Sequence, residues 1–234
     1  MAKHSPLPRL LLSLLRNRNP WVKGSAIAGL LVLALMGYQV TSGPSPQGAS
    51  PNSPLTPISS NSDQGYDRLE SVRVVDHRNN DGDSFLVSHE GKTFELRLYF
   101  VDTPEKYLSD RHEDQRRRVA DQAQDMDLTV DLTVKLGQAA KKVVGQLVAK
   151  QPFTVYTKWE RVYDGDRYYG FVELPLPDAQ NPSYLTELLI QKGLGRIHTK
   201  GAPTPDGRSS RQYEDYLRSL EKKAKTAGAG AWAL

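Results

Sequence analysis

The chain has 234 residues, of which 38% are hydrophobic and 25% are charged, and it contains no cysteine. At about 150 residues per domain, this length predicts one or two domains. The lack of cysteine excludes disulfides, cysteine-ligated zinc or iron–sulfur centres and a thiol nucleophile. The formal net charge is +4, but residues 1–23 carry five basic and no acidic side chains, whereas residues 66–234 carry 26 of each sign. Bulk charge therefore gives no indication of a nucleic-acid partner.

The first part of the chain predicts an anchor followed by a spacer. Residues 24–40 are uncharged and mostly apolar, and they follow the basic tail at residues 1–23. This predicts a transmembrane or signal-anchor segment with the tail in the cytoplasm and the rest of the chain in the periplasm or outside the cell. Cleavage of the segment would give a secreted protein, and a buried helix of a soluble domain is the alternative. Residues 41–65 hold five prolines and seven serines, which predicts a disordered linker.

Residues 66–234 carry the patterns of a folded domain. Period-two alternation predicts strands at residues 69–76, 84–88, 92–101, 153–159 and 168–174. Helical spacing predicts helices at residues 131–150, with Asp131 as a candidate N-cap, at 183–192 and at 208–227. The highly charged segment 105–126 is either a solvated helix or a loop with a helical piece. Strands that cluster early and helices that come late predict an α+β domain, a small five-stranded barrel with about three helices outside it.

Two acidic motifs lie at predicted strand ends. Asp81 and Asp83 flank a glycine at a turn that enters a strand, which suits an oxygen-liganded cation but is also typical of an ordinary hairpin turn. Arg97 lies within an apolar strand whose end runs into Asp102, Thr103, Pro104 and Glu105. Strict alternation places Arg97 and Asp102 on opposite faces, so a shared site requires a bulge that redirects one of them.

The third motif is a predicted hairpin that combines arginines with tyrosines. Arg161 and Arg167 flank its turn, and Tyr168 and Tyr169 begin the strand that follows. Such a hairpin can bind phosphate through a guanidinium and stack bases on its rings. The alternative is a solvent-exposed hairpin with aromatic cross-strand pairs.

The order of these motifs resembles the staphylococcal nuclease (thermonuclease) family over residues 72–232. The matching segments are VRVVD, DGDSFLV, RLYFVDTPE, DRYYGFV and YLTELLIQKGLGRI. The resemblance implies a five-stranded OB-fold barrel with three helices and Ca²⁺-dependent hydrolysis of DNA and RNA. It also implies that Asp83 and Asp102 bind the metal through their carboxylates and Thr103 through its backbone carbonyl.

The same resemblance implies the roles of the remaining site residues. Glu105 corresponds to the carboxylate that activates or positions the attacking water, and Arg97 to the first phosphate-binding arginine. Arg167 fits the second arginine, with Arg161 as the alternative. Tyr168 and Tyr169 are candidate substrate-binding residues, because the segment after GLGRI lacks the tyrosines that cover the nucleotide in the type enzyme.

Two segments depart from the family pattern. About five residues, 76–80, are inserted before the DGD motif, and the segment 106–131 is longer than the family loop and carries three consecutive arginines at 116–118. Those arginines belong either to a solvated helix face or to a phosphate contact.

The sequence thus predicts a monomeric Ca²⁺-dependent nuclease acting on DNA or RNA. It is exported or tethered to the membrane through residues 24–40, with no obligate protein partner. One alternative is a non-catalytic nucleic-acid-binding OB-fold module at the cell envelope. A second is an envelope scaffold protein that Ca²⁺ stabilises.

Overall fold

A computed structural model of the protein describes residues 64–163, 165–175 and 183–234. The predicted basic tail at residues 1–23, the predicted anchor at 24–40 and nearly all of the predicted linker at 41–65 lie outside the described residues. In the described part of the chain, no helix is both long enough and apolar enough to cross a bilayer.

Strands and helices are interleaved along the described chain. The strands are β1 (Asp67–Val74), β2 (Ser84–His89), β3 (Lys92–Leu98), β4 (Val101–Asp102), β5 (Phe153–Arg161), β6 (Arg167–Leu174), β7 (Ser183–Tyr184) and β8 (Arg196–Ile197). The α-helices are α1 (Glu113–Asp125), α2 (Val130–Ala149), α3 (Leu185–Gln191) and α4 (Ser210–Ala227), and a 3₁₀ helix spans Gly230–Ala233.

Five of the strands close into a barrel. β1 pairs with β2 and β5, β2 pairs with β3, and β5 pairs with β6, all antiparallel; a parallel pairing of β3 with β6 completes the ring. Val87, Leu96 and Val155 are fully buried in its interior. This confirms the predicted α+β class, and the closed barrel is consistent with an OB-fold. The described residues hold four helices rather than about three, because the charged segment after Glu105 contains α1.

The hairpin between β2 and β3 follows from two residues that adopt left-handed backbone conformations. Glu90 has φ of 49° and Gly91 has φ of 77°, between the paired residues His89 and Lys92. Positive φ at both central positions defines a two-residue type I′ turn, whose twist matches that of the flanking strands. The turn joins the predicted strand at residues 84–88 to the one that begins at residue 92.

The predicted strand 92–101 is broken, and the break matters for the site. β3 ends at Leu98, and Phe100 adopts φ of 67°, in the region that bulky residues rarely enter. Its ring is buried against Phe171 and Tyr213, at centroid distances of 6.2 and 5.1 Å, and this packing holds the conformation. Beyond the break β4 pairs with β8 instead of continuing the barrel strand. The strict alternation that separated Arg97 from Asp102 therefore does not apply.

Helices α1 and α2 pack beside the segment that follows β4. The N-cap of α2 is Thr129, whose hydroxyl accepts a hydrogen bond from the Leu132 amide at 3.3 Å, so the prediction of Asp131 as cap was wrong. Within α2, a Cβ atom on Gly137 would lie 2.3 Å from the carbonyl oxygen of Glu105. Glycine at this position therefore allows the helix to contact the backbone of the candidate site.

The last helix, α4, packs its apolar side into the core. Ser209 and Gln212 form a reciprocal capping box at the start of α4. Its apolar side buries Tyr213, Leu217 and Leu220, the residues that the helical spacing predicts to share one side.

Candidate active site

A single guanidinium group joins two buried carboxylates at the ends of neighbouring strands. Arg97, near the end of β3, donates from Nη1 to Asp83 Oδ1 at 2.6 Å and from Nη2 to Asp102 Oδ1 at 2.8 Å. Asp83 lies directly before β2 and Asp102 ends β4, and the two are only 3% and 7% exposed. The structure therefore brings together three of the predicted site residues, which are 14 and 5 positions apart in the sequence.

Thr103 fixes the remaining oxygen of Asp83. Its backbone amide donates to Asp83 Oδ2 at 2.5 Å, and its hydroxyl donates to the same atom at 3.1 Å. A Cβ atom on Gly82 would lie 2.7 Å from the Thr103 hydroxyl oxygen, so the glycine allows the two segments to approach this closely. The Asp81-Gly82-Asp83 motif is thus part of a packed cluster and not a free hairpin turn.

The two carboxylates have opposite electrostatic balances. Burial raises the pKa of Asp83 to about 6, because desolvation, with the neighbouring Asp102 and Asp81 charges, outweighs the attraction of Arg97. Burial alone would also raise the pKa of Asp102, but Arg97, the Gln122 amide and Arg196 together lower it. The ionised form of Asp102 is therefore stabilised by its surroundings. Ionisation of Asp83 at neutral pH, by contrast, destabilises the native state.

Glu105 lies two residues beyond Thr103, with its backbone and its carboxylate held by different residues of α1. Its amide donates to Gln122 Oε1 at 3.0 Å. Its carboxylate pairs with Arg118 at 2.6 Å, and the Arg118 side chain is 57% exposed. Of the three consecutive arginines, Arg118 is thus the one that reaches a predicted site residue. Arg116 instead donates to the carbonyl oxygens of Ser109 and Asp110.

Arg167 lies nearer the acidic cluster than Arg161 does. The first residue of β6, Arg167 places Nη1 3.5 Å from Ser84 Oγ, and Arg97 Nη1 is 3.3 Å from the same oxygen. Arg167 is also 3.7 Å from Glu95, its register partner on β3. Arg161, by contrast, is an exposed residue 4.0 Å from Asp166 on the same hairpin. Two guanidinium groups thus meet at Ser84, and Arg161 is not one of them.

The two candidate substrate-binding tyrosines have different surroundings. Tyr169 is the register partner of Arg97, and its ring stacks on Tyr99 with centroids 5.2 Å apart and planes 20° apart. Tyr168 contacts Phe94 and Trp159 edge to face at 6.3 and 5.3 Å. Only Tyr169 therefore lies beside the guanidinium cluster, whereas Tyr168 belongs to an aromatic cross-strand group.

The Lys106 side chain holds the segment at residues 76–80 next to the site. Lys106 Nζ donates to the carbonyl oxygens of Asn79 and Asn80 at 2.8 and 2.7 Å and lies 3.6 Å from Asp81 Oδ2. Asn80 in turn donates to the Val75 carbonyl at 2.8 Å. The insertion is therefore tied to the chain that carries Glu105.

Sequence reasoning missed two buried residues that hold Asp102. Arg196, on β8, donates to Asp102 Oδ2 at 2.9 Å and forms a second ion pair with Asp125. Gln122 donates to the same oxygen at 3.0 Å. A signal for Gln122 exists in the sequence, because it shares a helical stripe with Val119 and Ala123, where apolar residues are expected. Arg196 offers no comparable signal, since its partner is 94 positions away.

Three of the predicted site residues carry oxygen atoms of the kind that a hard cation such as Ca²⁺ takes. Within the described residues, no three Asp, Glu, His or Cys side chains are grouped as a metal site. Two carboxylates and the Thr103 carbonyl are nevertheless oxygen ligands of the kind Ca²⁺ takes. Asp83 Oδ1 and Asp102 Oδ1 already face one shared positive group, Arg97.

Comparison with known proteins adds no identification. No protein-family model and no curated protein matches the chain. The likeness to staphylococcal nucleases therefore stays a prediction from the motifs.

Proposed function

We propose that the described domain is a Ca²⁺-dependent nuclease that hydrolyses phosphodiester bonds of DNA or RNA. The observation that carries the proposal is the Arg97 guanidinium, held between two buried carboxylates and 3.3 Å from a hydroxyl that Arg167 also approaches. A closed five-stranded barrel of the OB type, with this cluster at its strand ends, supports the family likeness on which the proposal also rests.

Asp83, Asp102 and the Thr103 carbonyl would hold the Ca²⁺. Ca²⁺ takes six to eight oxygen ligands, so three protein oxygens leave positions for water and for a substrate oxygen. The ion supplies positive charge beside the phosphate and a place for water to be oriented. Asp102 is the firmer ligand, since its neighbours lower its pKa. Asp83 is the one whose unfavourable ionisation a cation would offset.

Arg97 and Arg167 would bind the phosphate. A phosphodiester under attack gathers negative charge on its non-bridging oxygens, and guanidinium forks match those oxygens while staying protonated at any working pH. Arg97 is preorganised by its two carboxylates, at 2.6 and 2.8 Å. Arg167 makes longer contacts, 3.5 Å from Ser84 Oγ and 3.7 Å from Glu95, which a substrate anion would replace.

Glu105 would position the attacking water and accept its proton. A carboxylate in this role contributes about 10²–10⁴-fold to a rate. Its backbone is fixed by Gln122, while its carboxylate is paired with Arg118, a mostly exposed side chain that can move aside. Tyr169, beside Arg97, offers a ring on which a nucleotide base can stack. The same proposal places the domain outside the cytoplasm, tethered through residues 24–40 or secreted.

The experiment that tests the proposal is digestion of single-stranded DNA and of RNA by the purified full-length protein, with Ca²⁺ and with a chelator. We expect cleavage with Ca²⁺ only, and a loss of at least two orders of magnitude in Arg97→Ala. Arg161→Ala removes an exposed arginine that lies 4.0 Å from Asp166, and it serves as the matched control. DNA binding without cleavage would instead support the non-catalytic module, and neither binding nor cleavage would support the scaffold.

A further inference from the structure

Gln122 is a polar residue at the centre of a contact between α1 and the candidate site. Its side chain is completely buried, with an exposure of 0%. It lies on the side of α1 that also buries Val119 and Ala123, and Met126 directly after the helix is buried as well. Burying a carboxamide is unfavourable unless its donors and acceptor are all paired. The groups that the Gln122 carboxamide contacts therefore indicate its role.

Each polar atom of the Gln122 side chain binds a different part of the candidate site. Nε2 donates to Asp102 Oδ2 at 3.0 Å and to the Thr103 carbonyl oxygen at 3.1 Å, and Oε1 accepts from the Glu105 amide at 3.0 Å. Two acceptors face the nitrogen and one donor faces the oxygen, so only this orientation of the amide satisfies all three partners. One side chain thus joins two proposed metal-binding groups to the segment that carries the proposed water-positioning carboxylate.

The contact also determines which oxygen of Asp102 remains for a cation. Gln122 and Arg196 both donate to Oδ2, at 3.0 and 2.9 Å, whereas Oδ1 accepts from Arg97. A carboxylate oxygen has about two lone-pair positions. Oδ2 is therefore saturated, whereas Oδ1 contacts the same guanidinium group as Asp83 Oδ1.

We propose that Gln122 is a positioning residue of the nuclease site, which sets the Asp102 carboxylate, the Thr103 carbonyl and the Glu105 backbone in the arrangement that Ca²⁺ and the attacking water require. The inference rests on the proposed function. It assigns to α1 a role in forming the site, in addition to its packing against α2. Groups that orient metal ligands in this way typically change metal affinity or activity about 10- to 100-fold when they are replaced.

Gln122→Met tests the proposal, because methionine keeps the length and much of the volume of the side chain but removes the three hydrogen bonds. Gln124→Met is the matched control, since Gln124 lies on the exposed side of the same helix. In the full-length protein we expect Gln122→Met to weaken Ca²⁺ binding, measured by calorimetry without nucleic acid, about 10-fold or more. We expect kcat to fall about 10- to 100-fold and KM for DNA to stay within about 3-fold, because Arg97 and Arg167 are unaltered. Gln124→Met should match the wild type.

A second measurement does not depend on whether Gln122→Met folds. In the wild-type protein, the side-chain amide signals of Gln122 in a ¹H–¹⁵N spectrum should shift on Ca²⁺ addition together with the backbone amides of Thr103 and Glu105, and those of Gln124 should not. A folded Gln122→Met variant with wild-type Ca²⁺ affinity and kcat would overturn this inference but not the proposed function. Gln122 side-chain signals that do not shift on Ca²⁺ addition would do the same. A wild-type protein that binds no Ca²⁺ and cleaves nothing would overturn the proposed function and this inference with it.

Discussion

Replacing Asp83 with asparagine, which removes a predicted metal ligand, should alter the stability of the domain more favourably at alkaline pH than at acidic pH. The Asp83 carboxyl is buried and its pKa is raised from 3.8 to about 6, with desolvation as the largest cause. Between these two values the native state binds more protons than the unfolded state, so stability falls as the pH rises. Above about pH 6 the native state carries the full cost of the buried charge. Asparagine cannot ionise and avoids that cost.

The magnitude follows from the difference between the two pKa values. A shift of about two units at about 1.4 kcal/mol per unit is about 3 kcal/mol at pH 8. The asparagine Nδ2 cannot accept a hydrogen bond, so it leaves one of the donors that face Asp83, Arg97 or the Thr103 amide, unpaired at a cost of about 1–3 kcal/mol at either pH. The change in the free energy of unfolding should therefore be about 2 kcal/mol more favourable at pH 8 than at pH 4, because an ordinary aspartate in the unfolded chain is half protonated near pH 4.

Urea unfolding in chelator, at pH 8 and at pH 4, measures both values for the wild type and for Asp83→Asn. Asp102→Asn is the control with the opposite sign. In the wild type, Arg97, Gln122 and Arg196 lower the pKa of Asp102 in spite of its burial. The ionised carboxylate therefore stabilises the native state above the pKa of the unfolded chain, and that contribution disappears as the pH falls. Asp102→Asn should therefore destabilise the protein more at pH 8 than at pH 4. An Asp83→Asn variant that loses stability equally at both pH values would refute this reasoning.

Three further substitutions test other parts of the account. Arg167→Ala should weaken DNA binding and cleavage by about tenfold or more, since a charge-assisted phosphate contact contributes about 1.5–3 kcal/mol. Arg161→Ala should leave both unchanged. Equal effects in the two variants would argue against Arg167 as the second phosphate-binding residue. Gly137→Ala adds a Cβ atom 2.3 Å from the Glu105 carbonyl oxygen; it should cost about 1–3 kcal/mol in thermal unfolding and reduce cleavage, and unchanged cleavage would mean that α2 does not hold this segment. Ser209→Ala removes the capping box of α4 and should lower the free energy of unfolding by about 1 kcal/mol with cleavage unaltered. A loss of cleavage in the folded variant would contradict this prediction.

The barrel could be predicted because its signals are local. The alternation in β2 and β3 and the Glu90-Gly91 turn between them each lie within a few residues, and the structure reproduces them. The break after Leu98 could not be located in the same way. It depends on the packing of the Phe100 ring against Phe171 and Tyr213, which are distant in sequence.

The same distinction separates the parts of the site that sequence reasoning found from those it missed. Asp83, Arg97 and Asp102 stand in short motifs, and their order along the chain pointed to them. Arg196 contacts Asp102 from 94 positions away, and no pattern near GLGRI indicates that its arginine is buried. The segment that supplies Gln122 is predicted either as a solvated helix or as a loop with a helical piece, because its many charges obscure the buried stripe of Val119, Gln122 and Ala123.

The central claim is that the acidic cluster and Glu105 together cleave a phosphodiester. Glu105→Gln tests it most directly, because the change is isosteric and leaves Arg97, Asp83 and Asp102 in place. The measurement is single-turnover cleavage of labelled single-stranded DNA in Ca²⁺, with DNA affinity determined in parallel and Glu70→Gln, an exposed substitution on β1, as the control. The account predicts a cleavage rate lowered by about 10²–10⁴-fold at nearly unchanged DNA affinity. A Glu105→Gln variant that cleaves as fast as the wild type would contradict it.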